Sequence, residues 1–167
     1  MTADEVRRRK IAERLREIAR DRRALRNALD RFAGADEFAS TWASDDPDEI
    51  NRRDQVERPY ERLVHDLQEI VDLCEAEVFD RGIATAAAAG GGEPGRWRRL
   101  AIRGYITHAQ AERWQALAAA RQRLQHHYAD LPARRGAEIY ERAEALLAEL
   151  PRAMKGLGRW IDELWPP

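Results

Sequence analysis

A chain of 167 residues is long enough for one domain with a single core. Charged residues make up 35% of it, yet the formal net charge is −1. That balance excludes a protein held on nucleic acid by bulk charge; affinity for phosphate would need a local basic face. The single cysteine, Cys74, rules out a disulfide framework within the chain and reads as a buried structural thiol. Met1-Thr2-Ala3-Asp4-Glu5 has no apolar signal core and no run approaches membrane-spanning length, so a cytoplasmic protein with no membrane contact is expected. Of the 29 basic residues 27 are arginine, a bias read as genome composition and not as RNA-binding chemistry.

Helix signals cover nearly the whole chain and strand signals are absent. The first helix is expected from about Ala3 to Phe32, with Val6, Ile11, Leu15, Ile18, Leu25, Leu29 and Phe32 at coiled-coil-like spacing. Its other faces mix arginines with Glu5, Glu13, Glu17 and Asp21, the pattern of a solvated helix laced by i,i+4 pairs. A phosphate-gripping face is the lesser reading of the same arginines. Gly34 and the polar stretch from Ser40 to Asp48 break the pattern. A second long helix then runs to about Phe79, on a stripe of Val56, Tyr60, Leu63, Leu67, Ile70 or Val71, Cys74 and Val78. Pro59 lies inside it and predicts a kink or a late start.

Gly82 to Gly95 is rich in alanine and glycine and reads as a mobile loop; no Gly-Lys-Ser/Thr signature accompanies Gly90-Gly91-Gly92, so a nucleotide loop is rejected. A short helix around Arg96 to Gly104 leads to another that starts near Thr107 or Ala109 and ends near His127. Asp130 and Pro132 open a further helix with Ile139, Ala143, Leu146 and Leu150 inward. Pro151 then starts the last, on Met154, Leu157, Ile161 and Leu164, with Trp160 and Trp165 as packing or subunit contacts. The whole, residues 1–167, reads as one all-α domain, an up-and-down helical bundle with a long N-terminal helix.

The informative stretch is Arg121-Gln122-Arg123-Leu124-Gln125-His126-His127-Tyr128. Trp114, Leu117, Leu124 and Tyr128 follow the three-four alternation of one helix face, which places position 121 on that face too. Arg121 is a permanent charge where an apolar residue is expected, and it needs a partner or an opening. An arginine five residues before a histidine recurs at Arg103 and His108, but there Gln110 stands where Tyr128 follows His126. A structural interhelix ion pair is the competing account of Arg121. Arg121 and Tyr128 share a face, while His126 lies about 140° away on an unbroken helix and joins them only if the helix end frays or tightens. A histidine at a helix C-terminus gains stabilisation for its protonated form, which suits a proton donor.

One chemistry fits arginine and histidine without a metal: cleavage of RNA through its own 2′-hydroxyl. It needs a proton acceptor, a proton donor, and a cation for charge growing on the phosphoryl group, which a guanidinium matches in bidentate fashion. One chain offers few groups for three tasks, and a two-fold dimer doubles them. His126 and His127 diverge on a helix, and His65, His108 and Cys74 show no zinc spacing, so neither a metal nor a cofactor is expected.

The segment Trp114 to Asp130 (WQALAAARQRLQHHYAD) resembles the HepT-like toxins of the HEPN superfamily, whose signature of Arg, four residues, His, one residue, Tyr is matched by Arg121, His126 and Tyr128. The order of elements is similar across most of the chain, including Val56 to Cys74 (VERPYERLVHDLQEIVDLC) and the closing helices. The resemblance implies a metal-independent endoribonuclease toxin acting on RNA. It also implies a homodimer with the site at the two-fold interface and Arg121 and His126 catalytic. The implied partner is a minimal nucleotidyltransferase antitoxin of the MNT type, which adenylylates Tyr128. Gln122 departs from the small polar residue common after the arginine, His127 neighbours the motif, and Asp72 falls where related proteins carry an acid facing it. The alternatives are a non-catalytic HEPN dimer binding nucleotide, RNA or a partner protein, and a structural coiled-coil adaptor using the first helix.

Overall fold

The computed structural model describes residues 1–82, 95–126 and 133–167, with the backbone alone at 120–126 and 133–135. Every regular element among the described residues is helical. Helix α1 spans Ala3–Leu29, α2 Ala35–Ser40, α3 Pro47–Asp80, α4 Arg96–Ile102, α5 His108–His126 and α6 Ala133–Leu164, with a 3-10 turn at Thr41–Ala43. Local chemistry sets the starts. Thr2 and Glu5 form a capping box on α1. On α3, Asp46 accepts from the Asp48 amide at 2.9 Å and Pro47 occupies the first turn.

Ion pairs and hydrogen bonds fix the directions. Arg7 meets Glu77 and Asp80, Arg14 meets Glu69, Asp21 meets Arg62, and Arg31 meets Gln55. As the α1 number rises the α3 number falls, so the two run antiparallel. Likewise α6 opposes α5, through Arg113 with Glu149 and Arg142 with the Ala116 carbonyl. It also opposes α1, through Asp4 with Trp165 and Leu29 with Tyr140. The four long helices thus alternate up and down. α3 and α6 form one diagonal of the bundle, touching each other, and α1 and α5 occupy the other two corners.

The stripes read from the sequence form the core. Ile11, Ile18, Leu25, Leu29 and Phe32 are buried on the α1 side, whereas Val6 and Leu15 are only partly covered. On α3 both Ile70 and Val71 are fully enclosed, and Cys74 is buried as expected. Two expectations, both at prolines, need correction, and the pairing expected on α1 holds in part. The i,i+4 pairing expected on α1 is present at Arg9 and Glu13, and Arg14 meets Glu17 one turn on, while Arg7 and Arg14 also cross to acids on α3. Pro59 does not give α3 a late start: the helix begins at Pro47 and carries Pro59 buried inside it. Nor does Pro151 start a helix, since α6 is continuous through it. The buried stripe explains this last case. Ile139, Ala143, Leu146, Leu150, Ala153, Leu157, Trp160 and Leu164 keep one three-four rhythm across the proline. Burial worth about 1.5–3 kcal/mol per large side chain outweighs the roughly 3 kcal/mol of an interior proline.

Phe32, Phe38 and Tyr140 cluster where α2 caps one end of the bundle. Trp97 stacks on Trp114 with ring centroids 5.0 Å apart, joining α4 to α5, and Tyr105 stacks on Trp160 at 5.2 Å. Trp160 is therefore packing, as expected. No helix among the described residues is long and apolar enough to cross a membrane.

Candidate functional site on the last turns of α5

Helix α5 starts at His108, with Thr107 before it: the Thr107 hydroxyl accepts from the Gln110 amide at 3.1 Å, and the Gln110 side chain accepts from the Thr107 amide at 2.7 Å. Ala111, Trp114 and Leu117 are the buried positions among its described side chains, and Trp114 is 1% exposed. Position 121 comes next on that stripe, four residues after Leu117. The backbone remains α-helical through His126, so no tightening before that residue brings it toward position 121, and the two positions stay about 140° apart around the axis. The side chains of Arg121, Gln122 and His126 lie outside the described part of the structure, as do His127 and Tyr128 altogether. So does most of the stretch from Gly82 to Gly95 read as a loop.

What the structure does describe is how α5 is held just before the motif. The buried Tyr60 hydroxyl on α3 donates to the Leu117 carbonyl at 2.8 Å. Arg142 on α6 donates through Nη1 to the Ala116 carbonyl at 3.1 Å. Two neighbouring helices thus grip consecutive carbonyls one turn ahead of Arg121. Burial raises the Tyr60 pKa well above the usual phenol range, with Arg142 opposing, so the hydroxyl stays a donor.

Antiparallel packing of α3 and α5, with Tyr60 level with Leu117, sets which α3 residues stand level with the motif. Positions 57 and 53, successive turns before Tyr60, lie alongside the turns carrying 121 and 124. There Glu57 is buried, with the Arg53 Nε 3.9 Å from its Oε1. The Arg53 guanidinium also covers the Trp42 ring at 4.7 Å and donates to the Thr41 carbonyl at 3.2 Å. Sequence reasoning missed both residues. Glu57 adjoins the stripe residue Val56, and its place four after Arg53 was the available signal.

Asp72 sits elsewhere. Twelve residues from Tyr60, about 18 Å along the helix, it is half exposed and gripped by Arg96 of α4 through Nε at 2.7 Å and Nη2 at 2.8 Å. The structure brings it to α4 and not to the motif turn, because α3 is one continuous rod whose two ends serve different neighbours.

His65, Asp66 and Glu69 place one ligand atom each within 4.8 Å of one another, a proximity that zinc spacing does not reveal. Arg14 already lies on Glu69 and 3.7 Å from Asp66, and His65 faces Glu69 at 3.7 Å. Burial pushes the Asp66 carboxyl up, with Arg14 opposing. With its carboxylates occupied by a guanidinium, the cluster is an interhelix clasp. Comparison with protein-family models, curated proteins and solved structures found no match to this chain.

Proposed function

We propose that the chain is a metal-independent endoribonuclease, the toxin of a toxin–antitoxin pair, similar to the HepT-like proteins of the HEPN superfamily. The observation that carries the reading is the Arg121–His126–Tyr128 motif on the closing turns of a helix clamped at Ala116 and Leu117. The all-helical up-and-down bundle is consistent with this reading. In the proposed reaction the RNA 2′-hydroxyl loses its proton to a base and attacks the adjacent phosphorus. The bond to the 5′-oxygen then breaks as that oxygen receives a proton, leaving a cyclic phosphate. Arg121 binds the phosphoryl oxygens and His126 serves in proton transfer. Gln122 and His127 support the site.

A helix that holds positions 121 and 126 about 140° apart favours a composite site. Arg121 of one protomer then meets His126 of the other across a two-fold axis. Glu57, buried on α3 level with the motif turn, is the acid we propose to orient Arg121, while Asp72 is held by Arg96. Control comes from a minimal nucleotidyltransferase of the MNT type, which would place adenylate on Tyr128. The added phosphodiester charge would compete with the RNA phosphate for Arg121.

Arg121→Ala and His126→Ala should each abolish growth arrest and RNA cleavage at unchanged helical content, and EDTA should leave wild-type cleavage intact. Mixing the two inactive single mutants should restore part of the activity if the site is shared between protomers. Wild-type cleavage rates in the double mutant would refute the assignment. Tyr128→Phe should keep cleaving and escape silencing by the partner. A dimer that binds RNA or nucleotide and cleaves nothing would instead support the non-catalytic HEPN reading.

A further inference from the structure

Two sets among the arginines of α1 differ in their partners. Arg7 and Arg14, in the first half, reach carboxylates on α3. Arg22, Arg23 and Arg26, in the second half, form no ion pair with any described residue. With Asn27 and Leu147 they line a hollow of about 260 Å³ between α1 and α6 that has no carboxylate in its wall. On the other flank of Asn27 a groove of about 460 Å³ lies between α1 and α3, with Arg31, Arg58 and Arg62 on its walls beside one carboxylate, Asp54. Arg58 is 72% exposed and makes only a 3.3 Å contact with Asp54. The chain carries almost no net charge, so this is a local concentration of cation and not a reflection of the whole.

We propose that this ridge is a docking surface for the phosphate backbone of an RNA strand, separate from the α5 site. The choice of RNA as the polyanion rests on the ribonuclease reading above. Guanidinium forks match phosphate oxygens, and unpaired ones give up no intramolecular partner when they bind. From Arg22 to Leu29, the end of α1, the helix advances about 10 Å, with Arg31 just beyond, long enough for a strand to meet successive phosphates. The Asn27 amide, between the two hollows, can donate to and accept from sugar hydroxyls. The ridge is level with the motif turn, since Asp21 meets Arg62 on α3 two residues from Tyr60, which meets Leu117. It is nevertheless on the corner of the bundle opposite α5, so it holds RNA beyond the nucleotides being cut and supplies affinity without chemistry.

The test uses the full chain and a fluorescein-labelled 2′-O-methyl RNA 20-mer, which lacks the attacking hydroxyl and separates binding from cleavage. The quadruple variant Arg22→Gln, Arg23→Gln, Arg26→Gln, Arg58→Gln should bind at least tenfold more weakly. Its log K against log salt should be shallower by roughly 0.7 for each phosphate that the variant no longer neutralises. Arg9→Gln with Arg16→Gln, at exposed positions nearer the start of α1, should leave both quantities unchanged. Equal affinity and slope in wild type and quadruple variant would overturn the proposal. So would displacement of the RNA by polyglutamate at equal charge concentration, which would mark the ridge as a site for an acidic protein. If wild type cleaves unmodified RNA but the ridge variant binds and cleaves like it, the docking surface falls and the nuclease reading stands. If wild type binds through the ridge yet cleaves nothing, the reverse holds.

Discussion

Removing Arg62 should damage this fold more than removing Asp21, although the two make one ion pair. Asp21 lies on the buried stripe of α1 between Ile18 and Leu25 and is 1% exposed. Arg62 reaches it through Nε at 3.0 Å and Nη2 at 2.9 Å, while its own side chain remains 50% exposed. Arg62→Ala therefore strands a carboxylate away from water, with only Arg20 at 3.6 Å to offset it. Leaving one charge of a buried pair costs about 3–5 kcal/mol, and Arg20 points to the lower end. Asp21→Ala loses the charge-assisted bonds, but the half-exposed guanidinium can rehydrate, so the cost should be about 1.5–3 kcal/mol. The double mutant should be more stable than Arg62→Ala alone, because the stranded charge is gone. Urea titration followed by circular dichroism, with unchanged slopes, measures all four proteins. Asp21→Ala at least as unstable as Arg62→Ala, or a double mutant no better than Arg62→Ala, would refute the reasoning.

Tyr60→Phe should cost about 1 kcal/mol, as the Leu117 carbonyl keeps its helical partner, and should reduce RNA cleavage severalfold by loosening the turn before the motif. Undiminished cleavage would show that the tyrosine on α3 does not position it. Two glycines of α6 should respond with opposite signs: a Cβ at Gly156 would lie 2.4 Å from the Tyr105 carbonyl oxygen, whereas at Gly158 nothing lies within 4 Å. Gly156→Ala should destabilise by about 1–3 kcal/mol and Gly158→Ala should stabilise by about 1 kcal/mol, both read by thermal unfolding. Burial pushes the Cys74 thiol up from 9.0 to about 12. The folded state thus keeps a proton that the unfolded chain releases, so this contribution is full below about pH 9 and is lost as pH rises from 9 toward 12. Cys74→Ala should flatten that alkaline decline, and native Cys74 should resist thiol reagents until the protein is unfolded.

The helices and their inward faces were legible in the residues, because apolar spacing on a helix is a local property: the α1 and α3 stripes read from the sequence are mostly the ones buried, as are Trp114 and Leu117 on α5. The motif was legible for the same reason, since Arg121, His126 and Tyr128 are neighbours in the chain. Partners across the bundle were not. Arg14 sits three residues from Glu17 but also grips Glu69, and Asp72, read as facing the motif, is drawn to Arg96. Pro151 misled because a proline's local cost is visible in sequence, whereas the stripe that overrides it gains its energy only against α5 and the core. The chain alone determined what each helix hides. The tertiary structure decided which charges meet, because that depends on antiparallel register between segments tens of residues apart: Glu57 level with the motif turn, Asp72 at the other end, and a ridge whose Arg22, Arg23 and Arg26 form no ion pair with any described residue.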